Sequence, residues 1–191
     1  ISLTAKWTAN TYKATYNANG GSVSASSKTY TYDATYTLLT PERTGYEFLG
    51  WYSGDQLIAQ SGKWQFTENL SLTAKWKVKV YTVTYDAGVG TSSASSAQAT
   101  YDSNFTLATA ERTGYIFDGW YYNETKYSDG TWKTTKDITL TAKWKARTDI
   151  SYVVNHYQQN ANDDGYTFES TQNLTGTADA SITPSVKSFT H

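Results

Sequence analysis

Leu72-Thr73-Ala74-Lys75-Trp76 decides the architecture, because the same five residues recur as Leu3–Trp7 and as Leu140–Trp144. The copies begin 69 and 68 residues apart. Glu42-Arg43-Thr44-Gly45-Tyr46 returns as Glu111–Tyr115, and Gly50-Trp51-Tyr52 returns as Gly119-Trp120-Tyr121, each at a spacing of 69. Trp64 matches Trp132 at 68, so the second copy lacks one residue between Gln56 and Gly62. Anchors that keep one order and one period define tandem repeats. The chain therefore reads as two full modules, residues 10–77 and 78–145, preceded in residues 1–8 by the closing strand of a further copy. Residues 148–191 contain no Trp and no Leu-Thr-Ala-Lys-Trp, and read as a different, shorter and truncated module.

Each full module reads as a set of strands. Tyr12–Tyr16 and Tyr81–Tyr85 alternate large apolar with polar residues, the pattern of a half-buried strand. A Gly-bearing turn follows each, Asn19-Gly20-Gly21 or Gly88-Val89-Gly90. A second alternating stretch covers Tyr30–Leu38 and its counterpart Ala99–Leu107, and Pro41–Gly45 signals a turn. Tyr46–Tyr52 gives a third strand, and the Leu72–Trp76 stretch closes the module. Residues 38–43 and 55–66 each have room for a short helix. Leu72, Ala74, Trp76 and Val78 alternate in one phase and Tyr81, Val83 and Tyr85 in the other. A one-residue slip reverses the faces, so a twist or bulge is expected at the junction. No Gly/Pro linker separates the modules, and a semi-rigid rod is the expected arrangement.

Composition removes several function classes. Net charge is −1 and only 17% of residues are charged, so the basic excess of a nucleic-acid binder is missing. The chain has no Cys and two His, one of them the last residue, which leaves no thiolate metal site and no cysteine nucleophile. No apolar run approaches membrane-spanning length, and no signal peptide opens the sequence. Aromatic residues reach 16% against a mean hydropathy of −0.60, a mixture that favours strands. No Gly-x-Ser-x-Gly elbow and no carboxylate pair at a telling spacing occurs, so a catalytic site is not expected.

The motifs resemble the internalin-type B-repeat, also called the Listeria–Bacteroides repeat, of bacterial surface proteins. The first copy carries that pattern as Tyr16-Asn17, Gly20-Gly21, Pro41, Arg43, Gly45-Tyr46, Phe48, Gly50-Trp51-Tyr52 and Ala74-Lys75-Trp76. The second carries Tyr85-Asp86, Gly90, Arg112, Gly114-Tyr115, Phe117, Gly119-Trp120-Tyr121 and Ala142-Lys143-Trp144. It departs at Val89 for the first Gly and at Ala110 for the Pro. The resemblance implies a mainly β protein of small β-grasp-like modules. Tyr152–Tyr157, Asp164-Gly165, Leu174–Gly176 and Pro184–Phe189 are similar to mucin-binding-protein repeats, which implies a partial β-rich module over 148–191.

The resemblance further implies an extracellular, cell-wall-attached surface protein of a Gram-positive bacterium. In it the repeats serve as stalk or spacer and as an adhesion module, with no cofactor, no metal and no membrane insertion. Expected partners are neighbouring repeats, a host glycan or a surface protein. Two other readings stay open: a mucin- or glycan-binding module, and an accessory module of a secreted enzyme. The seven Trp invite a sugar-stacking reading, but their repeat-equivalent positions point to the core. Ligand contact falls instead to Tyr52, Tyr121, Tyr122 and Tyr127. Arg43 and Arg112 read as clamps on backbone carbonyls or as contacts to a partner. Residues 160–165 read as a polar hairpin turn rather than a calcium loop. Residues 2–7 are expected to pair with a sheet edge of a neighbouring molecule.

Overall fold

Strand-forming alternation in the first repeat produces seven strands in the computed structural model, which describes residues 1–185. They are β1 Thr11–Asn17, β2 Ser27–Thr31, β3 Thr35–Thr37, β4 Tyr46–Ser53, β5 Gln56–Ile58, β6 Ser61–Lys63 and β7 Leu70–Val78. A mixed sheet forms in the order β2-β1-β7-β4-β5, with β3 and β6 as a separate antiparallel pair. At its centre β1 and β7 run parallel, with Ala14 opposite Leu70 and Tyr16 opposite Leu72. These four side chains point to one face and are buried there with Trp51, Trp64 and Tyr30.

The second repeat repeats the plan. Its strands are β8 Val80–Asp86, β9 Thr91–Ser92, β10 Ser96–Thr100, β11 Asn104–Phe105, β12 Ala110–Glu111, β13 Tyr115–Tyr122, β14 Thr125–Tyr127, β15 Gly130–Thr131 and β16 Ile138–Ala146. Its sheet order, β10-β8-β16-β13-β14, is the same order strand for strand. Val83 faces Ile138 and Tyr85 faces Leu140 across the parallel pair. Both repeats also share one irregularity. The long antiparallel pairing slips between Phe48 and Gly50, and between Phe117 and Gly119. Gly50 and Gly119 take φ of 137° and 144°. A Cβ there would lie 2.5 Å from Leu57 or from Lys126, so the bulge needs glycine twice over.

The chain divides into two compact units. One comprises Ile1–Tyr81 with Gln98–Phe105 and Gly130–Asp137; the other comprises Thr82–Ala97, Thr106–Asp129 and the chain from Ile138 onward. The second unit contains the two-stranded hairpin of β17 Ile150–Gln159 and β18 Tyr166–Gly176. Its loop is the polar turn read from the sequence. The Asp163 carboxylate accepts from the Gly165 N–H at 2.7 Å and from the Asn160 side-chain amide at 2.8 Å. Those two bonds hold the Asp163 carboxyl below its ordinary range. Of the Pro184–Phe189 stretch, residues 186–189 lie outside the described residues.

Three expectations need correction. No helix occurs among the described residues; 55–66 holds β5 and β6 instead, because Ile58 pairs across to Trp51 and joins the core. Residues 38–43 are extended, and Glu42 bridges to Ser22. The stretch Tyr30–Leu38 is not one strand: Asp33 adopts φ 61° and turns the chain between β2 and β3, as Asp102 at 63° does between β10 and β11. Residues 2–7 form no strand, and Trp7 is 88% exposed. The junction between repeats is a single residue, Lys79, left out of the ladders between β7 and β8.

Candidate functional site

Of the tyrosines singled out for ligand contact, Tyr52 sits on β4, Tyr121 and Tyr122 on β13, and Tyr127 on β14. Tyr52 is half-buried, with the Lys75 ammonium 4.0 Å from its ring centroid. Tyr121, its repeat equivalent, has the Lys143 ammonium at 4.4 Å and gives its hydroxyl proton to Asp118 at 2.5 Å. That bond raises the Tyr121 hydroxyl above the usual phenol range and lowers the Asp118 carboxyl. Lys143 also pairs with Glu124. Successive strand residues point to opposite faces. Tyr122 therefore turns away from Tyr121 and meets Tyr127 edge-to-face, centroids 6.5 Å apart. Tyr122 and Tyr127 remain half-exposed.

The Arg-Thr-Gly-Tyr turns form better-defined constellations. In the first unit the Arg43 guanidinium lies 3.7 Å from the Tyr46 ring centroid and donates to the Asn19 carbonyl at 3.2 Å. Tyr46 meets Tyr101 edge-on at 6.0 Å. A Cβ on Gly45 would lie 2.1 Å from the Tyr101 ring, so only glycine admits that approach. Beside them the Lys133 ammonium pairs with Asp102, which raises the lysine's affinity for its proton. In the second unit Arg112 stacks on Tyr115 at 3.5 Å, and both reach Asp179, the guanidinium at 3.4 Å and the phenol at 2.6 Å. The Asp179 contact raises the Tyr115 hydroxyl.

One substitution accompanies the divergence of the two arginines. Gly20, with φ 86°, leaves room for the Arg43 guanidinium, which a Cβ at that position would approach to 3.2 Å. Val89 stands at that place in the second repeat. It is exposed and helps line an open cleft of about 450 Å³ beside Arg112 and Trp144. Among the described residues the clamp on a backbone carbonyl is made by Arg43. Arg112 makes the contact to another element instead.

The family model described as the Listeria-Bacteroides repeat domain matches residues 12–75 and again residues 81–143. The chain belongs to the Listeria–Bacteroides repeat family. Two relatives come from Evansella cellulosilytica. One, provisionally named a Gly-rich membrane protein, is 34% identical over 154 residues, covering 76% of this chain and 17% of its own length. The other, provisionally named a membrane protein, is 35% identical over 168 residues, covering 82% of this chain and 24% of its own. The chain thus spans less than a quarter of these relatives. No helix among the described residues is long and apolar enough to cross a membrane.

The repeat's signature residues have structural tasks. Trp51, Trp64, Trp120 and Trp132 are buried. Trp51 and Trp120 donate their indole N–H to the Leu39 and Ala108 carbonyls, each at 2.7 Å. Trp76 and Trp144 are half-buried and staple the Gly-bearing turn through the Ala18 and Ala87 carbonyls, at 2.9 Å and 3.2 Å. Gly21 and Gly90 give way to those indoles: a Cβ would lie 2.7 Å and 2.4 Å from them. At Pro41 the first repeat keeps a single bridge, between Ser22 and Glu42. With Ala110 in its place, β12 pairs with β9. The residues that complete the turn constellations, Tyr101, Asp102 and Asp179, were missed in the sequence. A signal existed for two of them, because Tyr32-Asp33 recurs as Tyr101-Asp102 at the repeat spacing.

Proposed function

We propose that this segment is a non-catalytic spacer of a bacterial surface protein, attached at the cell wall, whose repeats hold an adhesive region away from the surface. The observation that carries the reading is the use of the aromatic residues. The indoles of both full repeats go to cores and loop staples, and the tyrosine of each Arg-Thr-Gly-Tyr turn engages a second turn, through Tyr101 or through Asp179. Relatives named as membrane proteins agree with a surface location. The test is to stretch the whole chain by its ends in a single-molecule force experiment. Two discrete unfolding steps of about 230 Å contour length each are expected, one per repeat. Smooth extension without steps contradicts a spacer role.

A second reading, recognition of mucin-type glycans, rests on the half-exposed Tyr122–Tyr127 pair and on the exposed Tyr157–Phe168 pair of the terminal hairpin, 5.7 Å apart. In that reading residues 148–191 act as a mucin-binding-like module. A glycan array probed with the full chain separates the two. The spacer reading expects no glycan above background, and binding abolished by Tyr127→Ala or Tyr157→Ala favours the second.

A further inference from the structure

Asn10, Lys79 and Arg147 each stand three residues beyond the tryptophan of a Leu-Thr-Ala-Lys-Trp copy. Lys79 and Arg147 use their backbones identically. The Lys79 N–H donates to the Gly45 carbonyl at 2.9 Å, and its carbonyl accepts from the Tyr101 N–H at 3.0 Å. The Arg147 N–H donates to the Gly114 carbonyl at 2.9 Å, and its carbonyl accepts from the Ala178 N–H at 2.9 Å. Each relay ties an Arg-Thr-Gly-Tyr turn to a second turn that contains an aspartate of positive φ, Asp102 at 63° or Asp179 at 57°.

Asn10 carries half of the same relay. Its carbonyl accepts from the Tyr32 N–H at 2.9 Å, and Asp33 beside it has φ 61°. Lys63 pairs with Asp33 at 3.3 Å, as Lys133 pairs with Asp102. The other half is open: among the described residues nothing bonds the Asn10 N–H, and Tyr32 is 42% exposed where Tyr101 is half-buried. The spacing is also kept, 25 residues from Trp7 to Tyr32 and 25 from Trp76 to Tyr101.

We propose that the edge formed by Asn10, Tyr32 and Asp33 is a docking site for the Arg-Thr-Gly-Tyr turn of a further repeat joined directly ahead in the array. The glycine carbonyl of that turn takes the Asn10 N–H. Its tyrosine lies edge-on to Tyr32, with the arginine stacked on the outer face of that tyrosine and within reach of the Asp33 carboxylate. A turn from a second copy of this chain is not the occupant, because both of its turns are already engaged, by Tyr101 and by Asp179. The inference does not depend on the spacer reading, since a glycan-binding array could be joined in the same way.

The test extends the full chain by a copy of its own residues 10–71 placed directly before Leu3, which restores a complete repeat ahead of Asn10. Amide exchange at Asn10 should slow at least tenfold relative to the unextended chain. Nitration of Tyr32 by tetranitromethane should fall by a similar factor. Tyr32→Ala should leave melting of the unextended chain unchanged and lower that of the extended chain. Unchanged Asn10 exchange beside a folded added repeat overturns the proposal. So does an added copy that stays unfolded, since the same sequence folds where its turn is docked. Concentration-dependent protection of Asn10 in the unextended chain also overturns it, in favour of self-association.

Discussion

The two repeats share a backbone plan and differ in how they fill it. In the first, Tyr30 stacks on Trp64 with centroids 4.5 Å apart, and Tyr36 meets Trp64 edge-on at 5.2 Å. The Tyr16 and Tyr30 hydroxyls bond at 2.7 Å, and Tyr30 and Tyr36 pass their protons on to the Thr37 and Ala59 carbonyls. In the second, Ala99 stands for Tyr30 and Phe105 for Tyr36. Tyr85 keeps the place of Tyr16, but with Ala99 opposite it its hydroxyl has no tyrosine to bond and lies against the Ala108 backbone. The same scaffold therefore yields a first repeat with the larger core and a second repeat with a leaner one.

The largest effect expected from this comparison is at the stacked indole. Trp64→Ala should cost about 3–5 kcal/mol, near the whole stability of a small module. Trp132→Ala should cost less, because Ala99 and Phe105 stand in place of the two tyrosines that flank the first indole. Denaturant unfolding followed by the remaining Trp fluorescence reads both, and equal losses would break the comparison. Next comes the shared bulge. Gly50→Ala and Gly119→Ala should each lose about 1–3 kcal/mol through a strained φ. The loss should be larger at Gly50, where branched Leu57 blocks the new methyl, than at Gly119, where the end of Lys126 can swing aside.

The hydroxyl pair sharpens the contrast at smaller magnitude. Tyr16→Phe should destabilise by about 1 kcal/mol, whereas Tyr85→Phe should cost less, because no tyrosine hydroxyl pairs with it across the core. Alkaline pH gives a related readout. Burial first, and the Tyr30 hydrogen bond second, raise the Tyr16 hydroxyl above its ordinary value of 10.0. The folded chain then holds protons that the unfolded chain releases. Stability is full below about pH 10 and falls as pH rises beyond it. Tyr16→Phe should flatten that alkaline slope, seen as a smaller drop in melting temperature between pH 9 and about pH 11. An unchanged slope would place the titrating tyrosine elsewhere.

Much of this was legible beforehand because repeats check themselves. The triple recurrence of Leu-Thr-Ala-Lys-Trp marked the two tandem repeats, and alternation at Tyr12–Tyr16 and Leu72–Trp76 marked which faces are buried. The split of the Tyr30–Leu38 stretch was not legible. Asp33 bends the chain through a left-handed φ, and alternation looks continuous across a residue of that kind. The helix expectation at 55–66 failed because short polar strands such as β6 have almost no periodic signal. The turn contacts escaped for a different reason. They depend on carbonyls and N–H groups at Lys79 and Arg147, and main-chain partners leave no mark in side-chain identity.

Native-state hydrogen exchange tests the central claim most directly, since it reads each repeat within the intact chain. The account predicts that amides of the parallel pair in the first repeat, β1 with β7, open at higher free energy than those of β8 with β16. Tyr30→Ala should bring the first pair down toward the second. Equal opening energies, or a second repeat more protected than the first, would contradict it.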